Sequence, residues 1–398
     1  MRILMLHNRY LQHGGEDVTV EEQAALLRSY GHEVTLLLWD NQTIAQQSLW
    51  RTAVETLWSS TAHRLVKEHL ASHAYDVVHI HNFFPLASPA VHYAAQSRGI
   101  PVIQTLHNYR LMCLNGLFLR AGEPCETCLR RSWPWPGVIH RCYRNSLPGS
   151  VVVAAMLATH RVLKTWQRQV DLFVALSQFA RKKFLQAGLP PSRLKVLPHF
   201  VYPDPGTDKT PQERECVLFI GRLEKAKGID VLLTAWQALQ SQIPLCVIGD
   251  GPLASTVRAA EKKAHVRWLG WRPREEVIAY LQRAHLLVVP SRAYETFGRV
   301  VVEAFAAGTP VLVSNHGALA ELVTPEKTGW HFPSANSAAL AERLRQALHD
   351  PTALRRMGET ARRVYETHYT ARQGYMRLME AYQQAINLHQ ERKKEPLH

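Results

Sequence analysis

The sequence predicts an α/β fold made of two doubly wound, Rossmann-like domains. Short apolar runs of strand length alternate with amphipathic stretches of helix length along most of the 398 residues. That alternation is typical of parallel sheets covered by helices on both faces. The pattern breaks near residue 202 and then restarts, and 398 residues suffice for two domains of ordinary size. Hydrophobic residues make up 46% of the chain, so both domains can form apolar cores.

The first domain is predicted over residues 1–201. Helical periodicity separates most of its strands, for example in VEEQAALLRSYG and in SPAVHYAAQSRG, which ends at a glycine and a proline. A cysteine-rich insert at 111–146 interrupts the alternation. The predicted strands are RILMLHN, HEVTLLLW, DVVHIHNF, PVIQTLHN, DLFVALS and KVLPHFV.

The second domain is predicted over residues 215–365, after a proline-rich, polar linker at 202–214. Its strands are CVLFIGRL, PLCVIGDG, HVRWLGW, HLLVVPS and PVLVSN, with helices between them, and after about residue 337 the pattern is almost entirely helical. Ligands of doubly wound folds bind at the carboxyl ends of the strands. We therefore expect a site that faces a cleft between the two domains.

Charge and hydropathy restrict the class of protein. The longest apolar stretch, VVVAAMLAT at 151–159, is about half the length of a membrane span. The amino-terminal MRILMLHNRY resembles a first strand rather than a signal peptide, so we expect a cytoplasmic protein. The net charge is +14, and residues 110–168 contain nine Arg or Lys against two Glu. This excess indicates either a soluble basic surface or attraction to a membrane leaflet, a phosphate-bearing acceptor or nucleic acid.

A basic, glycine-bounded loop follows the first strand of the second domain. GRLEKAKG contains Arg222 and Lys227 between Gly221 and Gly228. Glycine permits close approach of a ligand to the backbone, and the two cations suit a diphosphate. The loop does not match a P-loop, and taken alone it is equally consistent with an exposed basic turn.

The next strand ends in VIGDGPLA, which fits the spacing of a dinucleotide-binding fingerprint through Gly249, Gly251 and Ala254. That fingerprint requires an acidic residue at the end of the following strand. HVRWLGW offers none, and the motif does not open the domain, so NAD binding is disfavoured.

Two glutamates mark YETFGRVVVEAFAAGTPV. Glu295 lies in the loop after LLVVPS, and a helix is predicted to start near Thr296–Gly298, with backbone N–H groups of Phe297 and Gly298 beside Glu295. Glu303 follows eight residues later, roughly 12 Å away if both were helical. Carboxylates bind vicinal hydroxyls, so this spacing favours one acid on a ribose and one on a sugar. Two exposed helix charges are the alternative, although Glu303 is surrounded by apolar neighbours.

Taken together, GRLEKAKG, IGDGP, YETFGRVVVEAFAAGTPV and the amino-terminal HGGED resemble the retaining nucleotide-sugar glycosyltransferases of the group 1, family 4 type, which have the GT-B fold. The resemblance covers nearly the whole chain. It implies a C-terminal helix, residues 366–398, that packs back on the first domain. It also implies transfer of a hexose to a hydroxyl of a glycan or lipid-linked acceptor. From the basic first domain we expect a role in cell-envelope or exopolysaccharide biosynthesis at the inner face of the membrane.

The resemblance also implies a role for individual residues. Arg222 and Lys227 would bind the donor diphosphate, with Gly251 on the same side, and Glu303 would bind the ribose. Glu295 and the amides of Phe297 and Gly298 would hold the donor sugar. In the first domain, Gly14 and Gly15 would let a loop approach the donor phosphates, and His107 would face the donor sugar and the reaction centre.

The implied chemistry needs no metal or other cofactor, because preorganised cations stabilise the departing nucleoside diphosphate. Two other classes remain as alternatives. A GT-B phosphorylase or epimerase is one, although no convincing lysine for a pyridoxal Schiff base is evident. A nucleic-acid-binding or catalytically silent protein is the other, and it rests on charge alone.

The insert carries four of the six cysteines, Cys113, Cys125, Cys128 and Cys142, with His140 beside the last. A C-x-x-C pair within such a quartet predicts a structural zinc site, and a reduced thiol-rich loop or a redox pair are the alternatives. The insert also contains Trp133 and Trp135 among arginines. We expect it to shape the acceptor side or touch a membrane interface.

Overall fold

The computed structural model describes residues 1–11, 14–207 and 214–394, which form two compact units. Unit 1 comprises Met1–Phe118, Glu126–Pro198 and the chain from Gly374 onward, and unit 2 comprises Leu119–Cys125 and His199–Gln373. Each unit contains a six-stranded parallel sheet, so the predicted class of two Rossmann-like α/β domains is confirmed. Within the described ranges, no helix is both long enough and apolar enough to cross a bilayer.

The sheet of unit 1 is built from buried, β-branched and leucine-rich runs that match the six predicted strands. Its strands are β1 (Arg2–Arg9), β2 (Glu33–Asp40), β3 (Val77–Asn82), β4 (Val102–Thr105), β7 (Leu172–Ala175) and β8 (Leu194–Val196). They lie in the order β2-β1-β3-β4-β7-β8, all parallel. The order reverses at β1 and β3, and this is where ligands of doubly wound folds bind.

The helices of unit 1 begin mostly at serine or glycine caps, as at Ser48, Ser59, Ser146 and Ser177. They are α1 (Gly15–Ser29), α2 (Leu49–Leu57), α3 (Ser60–Ser72), α4 (Ala90–Gln96), α5 (Trp135–Ile139), α6 (Leu147–Val162), α7 (Thr165–Gln169), α8 (Gln178–Gln186) and most of α16 (Ala371–Lys394), with 3₁₀ turns at Asn41–Gln46 and Pro191–Arg193.

Helix α16 completes the core of unit 1, far from the rest of the unit in sequence. Its Leu378, Ala381, Tyr382 and Ala385 are buried in one cluster with Ile3 and other side chains of the sheet. The Tyr382 hydroxyl lies 3.0 Å from Nδ1 of His79 on β3, so its buried polar atom is satisfied. The predicted carboxyl-terminal helix thus belongs to unit 1, and its last residues, 395–398, lie outside the described ranges.

Unit 2 repeats the architecture. Its strands are β9 (Cys216–Ile220), β10 (Leu245–Ile248), β11 (Val266–Gly270), β12 (Ala284–Val289), β13 (Val311–Ser314) and β14 (Gly329–Phe332), in the order β11-β10-β9-β12-β13-β14. A separate antiparallel hairpin from the insert, β5 (Leu119–Arg120) with β6 (Glu123–Pro124), also groups with unit 2. The helices are α9 (Ile229–Leu239), α10 (Ala254–Glu261), α11 (Arg274–Arg283), α12 (Arg299–Ala306), α13 (Gly317–Leu322), α14 (Ser337–His349) and α15 (Pro351–His368), with a 3₁₀ turn at Lys225–Lys227.

The boundaries differ slightly from those predicted. Unit 1 ends at Pro198 rather than at 201, and unit 2 extends to Gln373 rather than to 365. Of the predicted linker 202–214, residues 208–213 lie outside the described ranges, while Arg362 pairs with Asp204 at 2.7 Å within unit 2. Strand order in unit 2 reverses at β9 and β12, so the loops after these two strands flank its switch point.

Candidate functional site

The loop after β9 carries the predicted phosphate-binding cations at the switch point of unit 2. Arg222 has a 58% exposed side chain and lies 3.5 Å from the carboxylate of Glu224. The 3₁₀ turn Lys225–Lys227 follows and ends at Gly228, whose φ is +70°. A Cβ on Gly228 would lie 1.9 Å from the carbonyl oxygen of Pro290 in the loop after β12. Only glycine lets these two loops approach each other this closely.

A second pair of glycines brings the loop after β10 against the loop after β9. A Cβ on Gly249 would lie 2.0 Å from the carbonyl oxygen of Gly221, and one on Gly251 would lie 2.8 Å from the Leu223 backbone. The Leu223 N–H donates to the carbonyl of Asp250 at 2.9 Å. These glycines therefore serve close packing of two loops, which accounts for the dinucleotide-like spacing of VIGDGPLA without a dinucleotide.

Glu295 lies in the loop after β12, as predicted, and is the centre of a polar cluster. Its Oε1 accepts hydrogen bonds from Nζ of Lys227 and Oγ of Ser291, both at 2.7 Å. Burial alone would raise the pKa of Glu295, but the charge and hydrogen bond of Lys227, helped by Ser291, outweigh burial and lower that pKa. The carboxylate is therefore ionised and held in one orientation at the switch point.

Two members of this cluster were not predicted from the sequence. Ser291 follows β12 directly, and its carbonyl lies 2.8 Å from Nε2 of His316. The His316 ring in turn packs edge-on against Tyr294 at 5.4 Å. His316 comes directly before α13, so loops after three neighbouring strands, β9, β12 and β13, support Glu295.

Helix α12 begins at Arg299 with Gly298 as its N-cap, one residue after the predicted start near Thr296–Gly298. Gly298 adopts φ +110° and precedes the helix. Glycine is favoured at this position because a Cβ there would lie 2.7 Å from the Leu319 side chain. Glu295 is therefore not helical, and the distance of about 12 Å expected for two helical residues does not apply. Phe297 has a buried ring, 3% exposed, that packs edge-on against His199 at 5.2 Å. Its side chain anchors the loop, so only its backbone is a candidate ligand contact.

Glu303 is nearly buried rather than an exposed helix charge. Its Oε1 accepts a hydrogen bond from Nε of Arg299 at 2.8 Å, one turn earlier on α12, and both side chains are little exposed. An ion pair at this spacing fixes the carboxylate toward the beginning of the helix. Unit 2 thus presents two ordered carboxylates and three cations, Arg222, Lys227 and Arg299, after the carboxyl ends of adjacent strands.

In unit 1, His107 lies two residues beyond the end of β4 and is half-buried. Its Nε2 lies 2.9 Å from Nδ1 of His81 on β3, and the two rings stack at 5.2 Å. One ring must present N–H and the other a lone pair, so His81 fixes the tautomer and orientation of His107.

His81 stacks in turn on His79, and burial lowers the pKa of His79 to about 3. His79 and His81 are site residues that the sequence argument did not single out.

The glycines of the amino-terminal motif lie at the start of α1, after β1. Gly14 caps the helix with φ −136°, and its N–H donates to Oδ2 of Asp17 at 2.8 Å. Oδ1 of Asp17 lies 2.8 Å from Nε2 of buried His7. Neither Gly14 nor Gly15 adopts the left-handed backbone conformation that favours glycine. Their only property relevant to a phosphate ligand is that they lack a side chain, which would let the phosphate approach the backbone. His13 of this motif lies outside the described ranges.

Glu16, in the first turn of α1, forms a further polar network. Its Oε2 accepts a hydrogen bond from the Tyr10 hydroxyl at 2.8 Å, and Nδ2 of Asn108 donates to that hydroxyl at 3.0 Å. The Glu16 side chain is half-buried, but its Oε1 is shielded from solvent and has no hydrogen-bond partner among the described residues. Burial raises the pKa of Glu16 to about 7, against the lowering influence of His7 and of the Tyr10 hydrogen bond.

This carboxyl is expected to make unit 1 less stable as pH rises. The Glu16 pKa is 4.5 in the unfolded chain and about 7 in the fold, so the folded state binds the proton more tightly. Stability is therefore highest below about pH 4.5 with respect to this group, and falls by up to about 3 kcal/mol as pH rises through 7. Glu16→Gln should raise the melting temperature at pH 8 and leave it unchanged at pH 4.5, in thermal melts followed by circular dichroism. Exposed Glu68→Gln is the control, and an equal effect of Glu16→Gln at both pH values would contradict the expectation.

The four cysteines of the insert do not form a metal-ligand set. Within the described ranges, no three His, Cys, Asp or Glu side chains are placed to hold a metal ion. Cys113 is buried with its Sγ 3.0 Å from Oδ1 of Asn115, whereas Sγ of Cys128 lies 3.9 Å from the carbonyl of Pro134. Cys125 groups with unit 2, and the other three with unit 1. The residues as arranged do not fit a zinc ion, and we derive no role for one.

Two family profiles match the chain. The profile described as Glycosyl transferases group 1 matches residues 205–364, which include the clusters around Glu295 and Glu303. The profile described as Glycosyltransferase Family 4 matches residues 13–204, which include His107 and the start of α1. Together the two matches extend over both parallel sheets except for β1.

Curated relatives match over part of their length. Glycogen synthase of Mycobacterium tuberculosis is 37% identical over 153 residues, which make up 37% of this chain and 37% of that protein. The amylovoran biosynthesis glycosyltransferase AmsK of Erwinia amylovora is 27% identical over 232 residues, 53% of this chain and 56% of that protein. The matched chain thus spans less than two thirds of either relative.

A solved structure is similar over nearly the whole chain. HepE of Anabaena, crystallised with UDP-glucose, superposes with a TM-score of 0.67 and 17% identity, covering 96% of this chain and 98% of that chain. At this identity the similarity establishes the fold alone. It agrees with the two parallel sheets and the carboxyl-terminal helix seen here.

Proposed function

Because the chain belongs to the group 1 glycosyltransferases, we propose that it moves a sugar from a nucleoside diphosphate sugar to an acceptor hydroxyl with retention of anomeric configuration. The observation that carries this proposal is the cluster of Lys227, Ser291 and Glu295 at the switch point of unit 2. An ionised carboxylate beside a lysine there suits a ligand that has both hydroxyls and phosphates.

On this proposal, unit 2 binds the donor along its carboxyl edge. Arg222 and Lys227 bind the diphosphate, and Gly251, in the loop that packs against theirs, lies on the same side. Glu303, held by Arg299, accepts hydrogen bonds from the ribose hydroxyls. Glu295 and the backbone N–H groups of Phe297 and Gly298 bind hydroxyls of the transferred sugar. The HepE complex with UDP-glucose makes UDP-sugars the first donors to test.

The proposed step breaks the bond between the anomeric carbon and the diphosphate oxygen, and forms a bond to the acceptor oxygen on the same face. The acceptor proton passes to the departing phosphate oxygen, which gains charge as the bond breaks and lies on that face. Arg222 and Lys227 stabilise this charge without reorganisation, so the reaction requires no metal. This differs from two-carboxylate glycosidases, because neither glutamate forms a covalent intermediate.

Unit 1 supplies the acceptor side. His107, oriented by His81, contacts the donor sugar near the reacting carbon, and Gly14 and Gly15 leave space for the donor phosphates. The similarity to the amylovoran glycosyltransferase supports a glycan or lipid-linked acceptor and a role in exopolysaccharide or cell-envelope biosynthesis. We place the protein in the cytoplasm, in peripheral contact with the inner face of the membrane.

The proposal is tested by incubating the purified protein with a panel of nucleotide sugars and measuring released nucleoside diphosphate. We expect slow hydrolysis of one donor, unchanged by EDTA, and stimulation by a matching acceptor, with product of unchanged anomeric configuration by NMR. Loss of release in EDTA would exclude the metal-free reaction, and an inverted product would exclude retention. Absence of donor binding by calorimetry for every nucleotide sugar would overturn the function as a whole.

A further inference from the structure

Helix α2 of unit 1 exposes large apolar side chains. Leu49 is 88% exposed, Trp50 is 79% exposed and Val54 is 50% exposed. Trp50 and Val54 are four residues apart, so they lie on one face of the helix, away from buried Thr56. A helix face of this kind is normally covered in the functioning protein.

Helix α6 packs against α2 and also exposes apolar side chains. Leu147 and Val151 are exposed, and Val162 is 81% exposed. At 100° per residue the three positions lie within about 60° of one another, and so form one stripe. The only Arg, Lys, Asp or Glu on α6 is Arg161, whereas the exposed side of a surface helix normally carries several charges.

The cysteine-rich insert adjoins helix α6. Its short helix α5 packs against α6, and Arg161 of α6 donates to the carbonyls of Arg131 and Ser132. Trp133, Trp135 and Ile139 are exposed there. We call the exposed apolar side chains of α2, α5 and α6, together with Trp133, the α2–α6 surface.

Basic residues outnumber acidic ones around this surface, and the one carboxylate of α2, Glu55, is paired with Arg51. From Thr127 to Val170 the chain has seven Arg or Lys and no Asp or Glu. Six of the seven are exposed: Arg130, Arg131, Arg141, Arg144, Lys164 and Arg168. The guanidinium of Arg131 lies 5.1 Å from the Trp135 ring centroid. Tryptophan beside arginine suits the boundary between acyl chains and charged headgroups. An excess of cations over this stretch also complements the negative charge of anionic lipids.

We propose that the α2–α6 surface docks unit 1 on an anionic lipid bilayer. Trp50, Val54, Leu147, Val151 and Val162 enter the headgroup region, and the surrounding cations bind lipid phosphates. This deepens the membrane contact of the proposed function, since it assigns the contact to two helices and not to the insert alone. Docking is measured without donor or acceptor, so its outcome is independent of the glycosyltransferase assay.

The test is co-sedimentation of the whole chain with vesicles of phosphatidylcholine, or of phosphatidylcholine with about one third phosphatidylglycerol. We expect binding to the anionic vesicles only, weakened at least tenfold when NaCl rises from about 0.1 to about 0.5 M. The double variant Trp50→Ser/Val162→Ser should bind at least tenfold more weakly at low salt. Trp271→Ser is the matched control, because Trp271 is 64% exposed on unit 2, and it should bind like the unaltered protein.

Three results would overturn the proposal. They are equal binding to both kinds of vesicle, undiminished binding by the double variant, and a dimer seen by light scattering that the double variant dissociates. The last result would assign the α2–α6 surface to a second copy of the chain. Thermal melts check that the double variant folds. The unaltered protein can be tested by quenching of its tryptophan fluorescence with brominated anionic lipids. We expect quenching on docking, and its absence would also overturn the proposal.

Discussion

Replacing Glu295 by glutamine is expected to lower donor turnover by about a thousandfold. The substitution keeps the shape of the side chain but removes the charge that binds sugar hydroxyls, and it leaves Lys227 without its 2.7 Å partner. Loss of one preorganised contact in an active site typically costs about 10²–10³ in rate. The measurement is the rate of nucleoside diphosphate release at saturating donor. Glu275→Gln, at an exposed position on α11, is the control and should retain full rate.

A double-variant cycle tests whether Lys227 and Glu295 act on the donor together or independently. If Lys227 and Glu295 act as a unit on the donor, Lys227→Met combined with Glu295→Gln should be little slower than the worse single variant. Multiplicative losses would show that the two residues contact the donor independently. A folded Glu295→Gln protein with normal turnover would remove Glu295 from the site.

Gly249→Ala is expected to destabilise unit 2 by at least about 3 kcal/mol. Gly249 has φ +134°, and a Cβ there would lie 2.0 Å from the Gly221 carbonyl oxygen, so the two loops would have to separate. Gly270→Ala is the matched control, because Gly270 also has positive φ, +71°, but no atom lies within 4 Å of its added Cβ. That control should cost about 1 kcal/mol.

Thermal melts of the two alanine variants separate backbone conformation from loop contact. A much lower melting temperature for Gly249→Ala than for Gly270→Ala is the expected result. Similar melting temperatures would show that the loop after β10 moves away at little cost. Since the chain has two units, a melting temperature rather than an unfolding free energy is compared.

Local sequence patterns predicted most of the fold because its strands are short, buried and apolar. They missed β14, whose four residues begin with Gly329. Gly329 pairs with Val311, and a Cβ there would lie 2.0 Å from the Val311 carbonyl, a constraint that exists only in the assembled sheet. The start of α12 was placed too early for a similar reason, since the contact between Gly298 and Leu319 is tertiary.

The site residues could be predicted where their place relative to a strand or helix was itself informative. The side chains that contact them were harder to predict. Glu295 and Glu303 were found because one carboxylate comes just before an apolar helix and the other lies inside that helix. Ser291 and Arg299 each lie four residues before the glutamate they contact, and on a helix this spacing is a detectable signal for Arg299. Lys227 is 68 residues from Glu295 in sequence, so only the folded unit brings these two side chains into contact. His81 had a detectable signal, because His79 and His81 alternate along β3 and so face the same side as each other. The cysteine spacing predicted a metal site, but no three Cys, His, Asp or Glu side chains of the described residues are placed to hold an ion.

The position of α16 has a consequence for biosynthesis. Unit 1 receives its last core side chains, including Tyr382, from a helix encoded after the whole of unit 2. During translation, the parallel sheet of unit 2 can therefore form from a continuous stretch while the first sheet still exposes the apolar surface that α16 covers. A nascent chain in this state would be a substrate for chaperones, and a premature stop codon before residue 374 would damage the amino-terminal unit more than the unit nearest the truncation.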